Sequence, residues 1–461
     1  MKFSYKPKIV LVPYPAQGHV TPMLQLALSL QTHGFDPIMV TPEFIHTRIE
    51  EQSESMDGIS FLSIPDGLDV NEPRDFFTLS FAMENNMPSH FETILRSLDG
   101  DEGAVAGGGV VCVVVDLLAS WAIQVANRCK LPVAGFWPAM LATYNLIKAI
   151  PDMIHLGFIS ECGIPQHQDT MCSLPGQPLL RAKDLPWLIG NISQRKARFR
   201  FWLQTLNRSK LLQWLLLNSF EEESDVNLTI QSLPKVYALA PFVNKSIKKV
   251  SFWEEDKSCL SWLDDQKQDS VIYVSFGSWV SPIEEEKVTE MALGLEATKR
   301  PFIWVLGPKW REGLPIGYLE RVSGYAKVVS WAPQRQVLQH KAVGCYITHC
   351  GWNSTMEAIE CGKKLLCYPI AGDQFVNCAY IVKVWKIGVK MNGMGRDDVV
   401  RGVRRVVTEG KELELRMKKL KGRISDSKDN LGKRNDLTAF VEALTKSIIG
   451  YHNQVLNNRI I

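Results

Sequence analysis

Apolar and polar positions along the chain repeat one theme: a short apolar run, a polar loop, then an amphipathic stretch. Lys8 to Tyr14, Pro37 to Thr41, Ile59 to Ile64, Val110 to Val115 and Pro132 to Phe136 are β-prone runs bounded by turn residues. Helical patterns lie between them. Leu24, Ala27, Leu28 and Leu30 mark one apolar face, with Thr21 as its cap, Pro22 at its first position and Gly34 at its end. Phe76 to Leu98 reads as helix broken by Pro88, and Trp137 to Ile150 reads as one helix. Strand, helix, strand in this order predicts a parallel, doubly wound sheet with ligands at the carboxyl ends of its strands. Leu211 to Asn218 and Val236 to Ala240 finish it.

Asn244 to Cys259 is polar and lysine-rich and reads as a linker, after which the pattern restarts. Ser270 to Ser275, Phe302 to Leu306, Ala326 to Ser330, Val343 to Thr348 and Leu365 to Tyr368 are predicted strands, with a helix from about Glu284 to Ala297. Arg396 to Ile449 predicts two or three amphipathic helices. Ile150 to Asn191 is Pro-rich and irregular, the kind of loop that carries specificity over a rigid sheet or simply covers the surface.

Trp331 to Gln374 stands out within the second half: WAPQRQVLQHKAVGCYITHCGWNSTMEAIECGKKLLCYPIAGDQ. Val343 to Thr348 is a buried strand, His349-Cys350-Gly351 a tight turn, and Asn353 or Ser354 can cap a helix that Gly362 stops. A helix start has unpaired N–H groups and partial positive charge, which suit a diphosphate. His349, Asn353 and Ser354 add donors there, and Glu357, one turn on, can reach a ribose edge. Trp331 offers a flat face to a base, a stack worth roughly 1–3 kcal/mol. Asp373 and Gln374 pair a carboxylate with a carboxamide, as adjacent sugar hydroxyls require. The stretch reads as a pocket for a nucleotide sugar.

His19 lies in the loop after the first strand, and Asp116 ends the fourth apolar run, on the same sheet edge. Histidine titrates near neutral pH and so makes a good general base. An aspartate beside it can accept the imidazole N–H, fix the tautomer and stabilise the imidazolium. Asp116 also suits a helix cap, and both roles can hold at once.

The W-A-P-Q opening, H-C-G-W-N-S core and D-Q close resemble the signature box of the plant family 1 UDP-glycosyltransferases. P-x-Q-G-H around His19 and Y-V-S-F-G-S ending at Ser278 are similar to the same family. The resemblance implies an α/β GT-B fold, two Rossmann-like doubly wound parallel-sheet domains facing a cleft. It implies inverting transfer of a sugar from a UDP-sugar to a small acceptor, with His19 as base and Asp116 as its partner. It assigns uracil stacking to Trp331, the ribose to Gln334 and Glu357, and the diphosphate to His349, Asn353 and Ser354, with Ser278 in support. Trp352, Asp373 and Gln374 face the sugar, Ala332 and Gly351 belong to the same donor box, and Gln374 is the residue usual with glucose. Lys363, Lys364 and Ala371 depart from the usual box close to the sugar loop. The implied domains are an acceptor-binding 1–243, a linker 244–259, a UDP-sugar-binding 260–436, and a helix and tail 437–461 returning to the first domain. Gly18, Trp137, Met140 and Trp187 are the acceptor-side candidates.

Composition narrows this picture. Hydrophobic residues make up 46% and charged residues 22%, as in a soluble globular protein. A net charge of +3 is too weak for a nucleic-acid binder. The 10 cysteines show no CxxC pairing, which implies a reducing, cytoplasmic compartment with no disulfide framework. The usual acidic or His-x-His metal sets are missing, so no metal and no cofactor beyond the UDP-sugar co-substrate are expected. Pro13 and Pro15 interrupt the N-terminal apolar run, and Val105 to Ala126 carries glycines and Asp116, so neither a signal peptide nor a membrane span is expected. Arg195 to Lys210 is basic and aromatic; a membrane or anionic-partner face and a helix packed on the core are the two readings. A monomer is expected. No G-x-S-x-G occurs, which removes a serine hydrolase. The remaining rival is a UDP-sugar binder without catalysis.

Overall fold

Val10, Leu11 and Val12, buried on both faces, belong to the first strand, Lys8–Val12 (β1), of a parallel sheet. A computed structural model of the chain describes residues 6–50, 58–99, 109–167, 171–172, 177–220, 234–239, 251–277, 284–429 and 436–457. They form two compact units, Met1–Lys148 with Arg200–Phe252 and Asn430–Ile461, and Ala149–Phe199 with Trp253–Asp429. In this division 149–199 groups with the second unit. Residues 244–250 of the expected linker lie outside the described residues.

The first unit's sheet adds Asp36–Pro42 (β2), Ser60–Ile64 (β3), Val110–Asp116 (β4) and Val133–Trp137 (β5). A two-residue hairpin, Met171–Cys172 (β6) with Leu180–Arg181 (β7), belongs to the other unit. Trp214–Leu217 (β8) and Lys235–Ala238 (β9) complete the first sheet. Its order is β3-β2-β1-β4-β5-β8-β9, all parallel. The order reverses between β1 and β4, where open α/β sheets place their ligands. Core packs on both faces. On one face the helix Asp436–Asn457 contributes Leu437, Phe440 and Leu444, with Phe440 edge-on to Trp214 and Tyr237.

Three helix assignments need correction. The first helix runs Gln17–Thr32, capped by Ala16 rather than Thr21, so Pro22 sits inside it. The lost N–H of Pro22 would have bonded the carbonyl of Gly18, in the first turn, so the helix gives up one bond near its start. Trp137 ends β5 instead of opening a helix; Leu141–Lys148 and Ile150–His155 follow separately, with Pro151 in the latter's first turn. The 76–98 helix breaks at Asn86, and Pro88 lies in the first turn of Met87–Asp99, where its missing N–H costs nothing.

The second unit's sheet is Val271–Ser275 (β10), Phe302–Val305 (β11), Ala326–Val329 (β12), Val343–Thr348 (β13), Leu365–Cys367 (β14) and Gly388–Lys390 (β15). Its order, β12-β11-β10-β13-β14-β15, is parallel throughout and reverses between β10 and β13. The expected 396–449 helices are Arg396–Thr408, Gly410–Asp429 and Asp436–Asn457. Among the described residues, no helix is long and apolar enough to cross a membrane.

Candidate active site

In the first unit, β1 and β4 flank the switch point, and each supplies one titratable side chain past its carboxyl end. The helix starting at Gln17 puts His19 in its first turn; Asp116 is the last residue of β4. His19 Nδ1 and Asp116 Oδ2 lie 2.7 Å apart. Asp116 is fully buried, and its other oxygen accepts the Leu118 N–H at 2.9 Å, so it caps the turn and pairs the histidine together. A carboxylate accepting from Nδ1 leaves the imidazole lone pair on Nε2. Tyr14 packs on the ring at 5.2 Å. Gln17 Oε1 accepts the Phe252 N–H at 2.7 Å and holds this helix start to the end of the unit.

The acceptor-side candidates divide. Gly18 is exposed beside His19. Trp137 and Met140 are buried, with the indole N–H donating to the Met140 carbonyl at 2.9 Å; they belong to the core rather than to a ligand surface. Trp187, in the other unit, is fully buried against Phe199 and donates to the Gly163 carbonyl at 2.7 Å, which anchors a loop and leaves no face for an acceptor.

In the second unit, Gly277 follows β10 and His349 follows β13, again across the switch point. Glycine at both 277 and 351 is required: an added Cβ would meet His349 Nε2 at 2.7 Å and 2.4 Å respectively. The ring lies between these two backbones. Burial lowers its pKa from 6.5 to about 4, so His349 is neutral near pH 7, and its Nδ1 has no hydrogen-bond partner among the described residues. The helix that follows starts at Trp352 with Gly351 as its cap, not Asn353 or Ser354. Cys350 takes the left-handed turn at φ 68°, which brings the helix start forward by two residues and leaves Asn353 and Ser354 in the first turn. Trp352 is buried against Trp385, so its indole turns to the core, and the residue opens the helix.

Gln334 is also used differently from expectation. Its carbonyl oxygen accepts from Tyr273 and Tyr346 at 3.2 and 3.1 Å, and its amide donates to Ser354 and Glu357 at 3.0 and 2.8 Å. All four of its hydrogen-bonding positions are taken. In this arrangement it holds Glu357 and Ser354 in place. The two tyrosines were not legible as site residues, since each lies mid-strand in an apolar run.

Trp331 is part-exposed, 6.1 Å from the Trp253 ring, and Ala332 is buried beside it. Asp373 precedes the helix Gln374–Ala379 and accepts from Asn377 at 2.8 Å. Gln374 accepts the Ile370 and Ala371 N–H groups at 2.9 Å each, so its oxygen is fixed, and its amide N–H groups have no protein acceptor among the described residues. Asn377, missed in the sequence because it resembles any polar helix residue, also donates to the Cys350 carbonyl at 2.9 Å and ties the two loops together. Lys363 and Lys364 do not reach the sugar loop. Lys363 donates to the His340 and Val343 carbonyls at the amino end of β13, and Lys364 pairs with Glu414, both at the opposite edge from the donor residues. Ser278 lies outside the described residues.

Two doubly wound parallel sheets in one chain, each with polar side chains gathered at its switch point, define a GT-B glycosyltransferase. The profile of UDP-glucoronosyl and UDP-glucosyl transferases matches residues 252–422. The chain is 48% identical to UDP-glycosyltransferase 82A1 of Arabidopsis thaliana, over 95% of this chain and 98% of that one. It is 32% identical to 7-deoxyloganetin glucosyltransferase of Catharanthus roseus, over 91% of each. A crystal structure of UDP-glucose: anthocyanidin 3-O-glucosyltransferase in complex with UDP is similar at TM-score 0.81 and 25% identity, covering 97% of this chain and 100% of that one. The chain belongs to the plant UDP-glycosyltransferase family, and its reaction is sugar transfer from a UDP-sugar.

Proposed function

We propose that the chain transfers glucose from UDP-glucose, with inversion, to a hydroxyl or carboxylate of a small lipophilic acceptor. The carrying observation is the 2.7 Å His19–Asp116 pair at the first sheet's switch point. Nε2 takes the acceptor proton as the oxygen attacks the anomeric carbon, and the bond to the diphosphate breaks with its electron pair leaving on UDP. Asp116 holds the Nδ1 proton and stabilises the imidazolium. The Trp352 helix start, Asn353, Ser354 and a neutral His349 meet the charge on the diphosphate without requiring a metal. Glu357 holds the ribose, Trp331 stacks on the base, and Asp373 and Gln374 hold the sugar. The relatives named as acting on 7-deoxyloganetin and anthocyanidin support an acceptor of this class. Ten free cysteines support a reducing, cytosolic setting.

A binder without catalysis has no use for a buried carboxylate aimed at an imidazole, which disfavours that reading. A panel of phenolic, terpenoid and carboxylate acceptors with UDP-glucose, UDP-galactose and UDP-xylose, read by mass, tests the proposal. A hexose added from UDP-glucose is expected. No product with any acceptor, with UDP binding intact, would restore the binder.

A further inference from the structure

Cys350, Cys367 and Cys378 come from three separate places in the chain: the turn after β13, the last residue of β14, and the helix Gln374–Ala379. Their sulfurs all lie within 4.8 Å of one another, and all three residues are buried. The group contains no histidine or carboxylate. Seven other free cysteines are spread through the chain without such a grouping among the described residues. None of the three thiols enters the transfer step proposed above.

We propose that these three thiols form a binding site for one soft, thiophilic cation, held as a tris-thiolate. Thiolate sulfur selects soft ions over magnesium or calcium. An ion about 2.3 Å from each sulfur puts the sulfurs roughly 4 Å apart in a trigonal plane, so the observed group needs little closure. On binding, each sulfur–metal bond replaces a sulfur–hydrogen bond, and the protons still on the thiols pass to solvent. Hydrogen bonds from Cys350 and Cys367 lower the Cys378 thiol, whereas burial raises the other two thiols, which stay protonated until an ion arrives. Asn377 pins the same helix to the Cys350 carbonyl, so the three carriers are held together before any ion arrives.

The site has a consequence that rests on the donor reading above. Cys350 lies between His349 and Gly351, and Cys378 one turn past Gln374. An ion on the three sulfurs therefore draws on both donor loops.

The test is titration of the reduced full-length protein with cadmium chloride, followed by sulfur-to-cadmium charge-transfer absorbance. Saturation at one ion per chain is expected, with the band lost in both C378A and C367A and kept in C162A. Cadmium K-edge absorption on the unmutated protein should count three sulfur neighbours, which decides the question even where a variant fails to fold. No saturating band, retention of the band in C378A or C367A, or a first shell of oxygen and nitrogen overturns the proposal. Calorimetry of UDP binding with and without one equivalent of cadmium reads the coupling separately. A weakened affinity in the unmutated protein but not in C378A is expected; an unchanged affinity overturns the coupling alone.

Discussion

Gln334 ties two strand tyrosines to Ser354 and Glu357. Removing it takes one hydrogen bond each from the Tyr273 and Tyr346 hydroxyls, Ser354 and Glu357, and each such bond is worth about 0.5–1.5 kcal/mol net, more where the partner is charged. Gln334→Ala should therefore lower UDP affinity roughly tenfold by calorimetry while leaving kcat, measured at saturating donor, much closer to the unmutated value. Equal loss in both would mean a role in the chemistry. His19→Ala should lower turnover by about 10²–10⁴-fold with UDP affinity nearly unchanged; a variant that kept most of its turnover would remove His19 as base. His349 carries a pH dependence. Its folded pKa, about 4, lies below the unfolded 6.5, so the unfolded chain binds the extra proton as pH falls through that window. Stability is full above 6.5 and declines toward 4, by about 2 kcal/mol at pH 5. Urea unfolding at pH 7 and pH 5 should show this component and should show it removed in His349→Gln. His19, Asp116, His349 and the D-Q pair were legible because strand ends and helix starts concentrate polar groups. The engagement of Gln334 was not, because its partners are supplied by strands brought together in space.

At the scale of the element, the local signal held at Gly362 and failed at Pro22, which was read as a first helical position and lies inside Gln17–Thr32. Pro88 and Pro151 mark helix starts, and Gly362, at φ 67°, ends one. The helix after His349 started earlier than its cap residues suggested, because the left-handed Cys350 turn directs the chain into helix at Trp352. The basic, aromatic run 195–210 is the helix Ile192–Ser209, and it packs on core. Trp202 lies against Trp137, and Arg208, buried, grips Glu84 with both nitrogens at 2.7 and 2.6 Å. That assignment takes its best candidate cation away from a membrane or partner face. Arg208→Ala should destabilise the protein by about 2 kcal/mol in denaturant unfolding; a fully buried pair would cost more, but Glu84 is partly exposed. No measurable change would mean that the pair is solvated.

The whole molecule is two parallel sheets built on the same rule, each with a polar cluster at its reversal. The second sheet has three strands on either side of its reversal; the first has a seventh strand at its far edge. The helix Asp436–Asn457 completes the first unit from the far end of the sequence, through Phe440 on Trp214 and Tyr237. Phe440→Ala should cost about 3–4 kcal/mol, seen as a lower thermal midpoint. A wild-type midpoint in that variant would mean that the helix only rests on the unit. By itself the sequence determined what short-range physics controls: the apolar periods, the glycines and prolines that steer the backbone, and the polar residues at strand ends. Tertiary structure alone decided which of those residues meet. The Gln334 network and the three-thiol cluster join groups from separate elements, and their contacts depend on strand order and register rather than on any local pattern; the His19–Asp116 distance of 2.7 Å was fixed the same way, although the shared sheet edge was foreseeable.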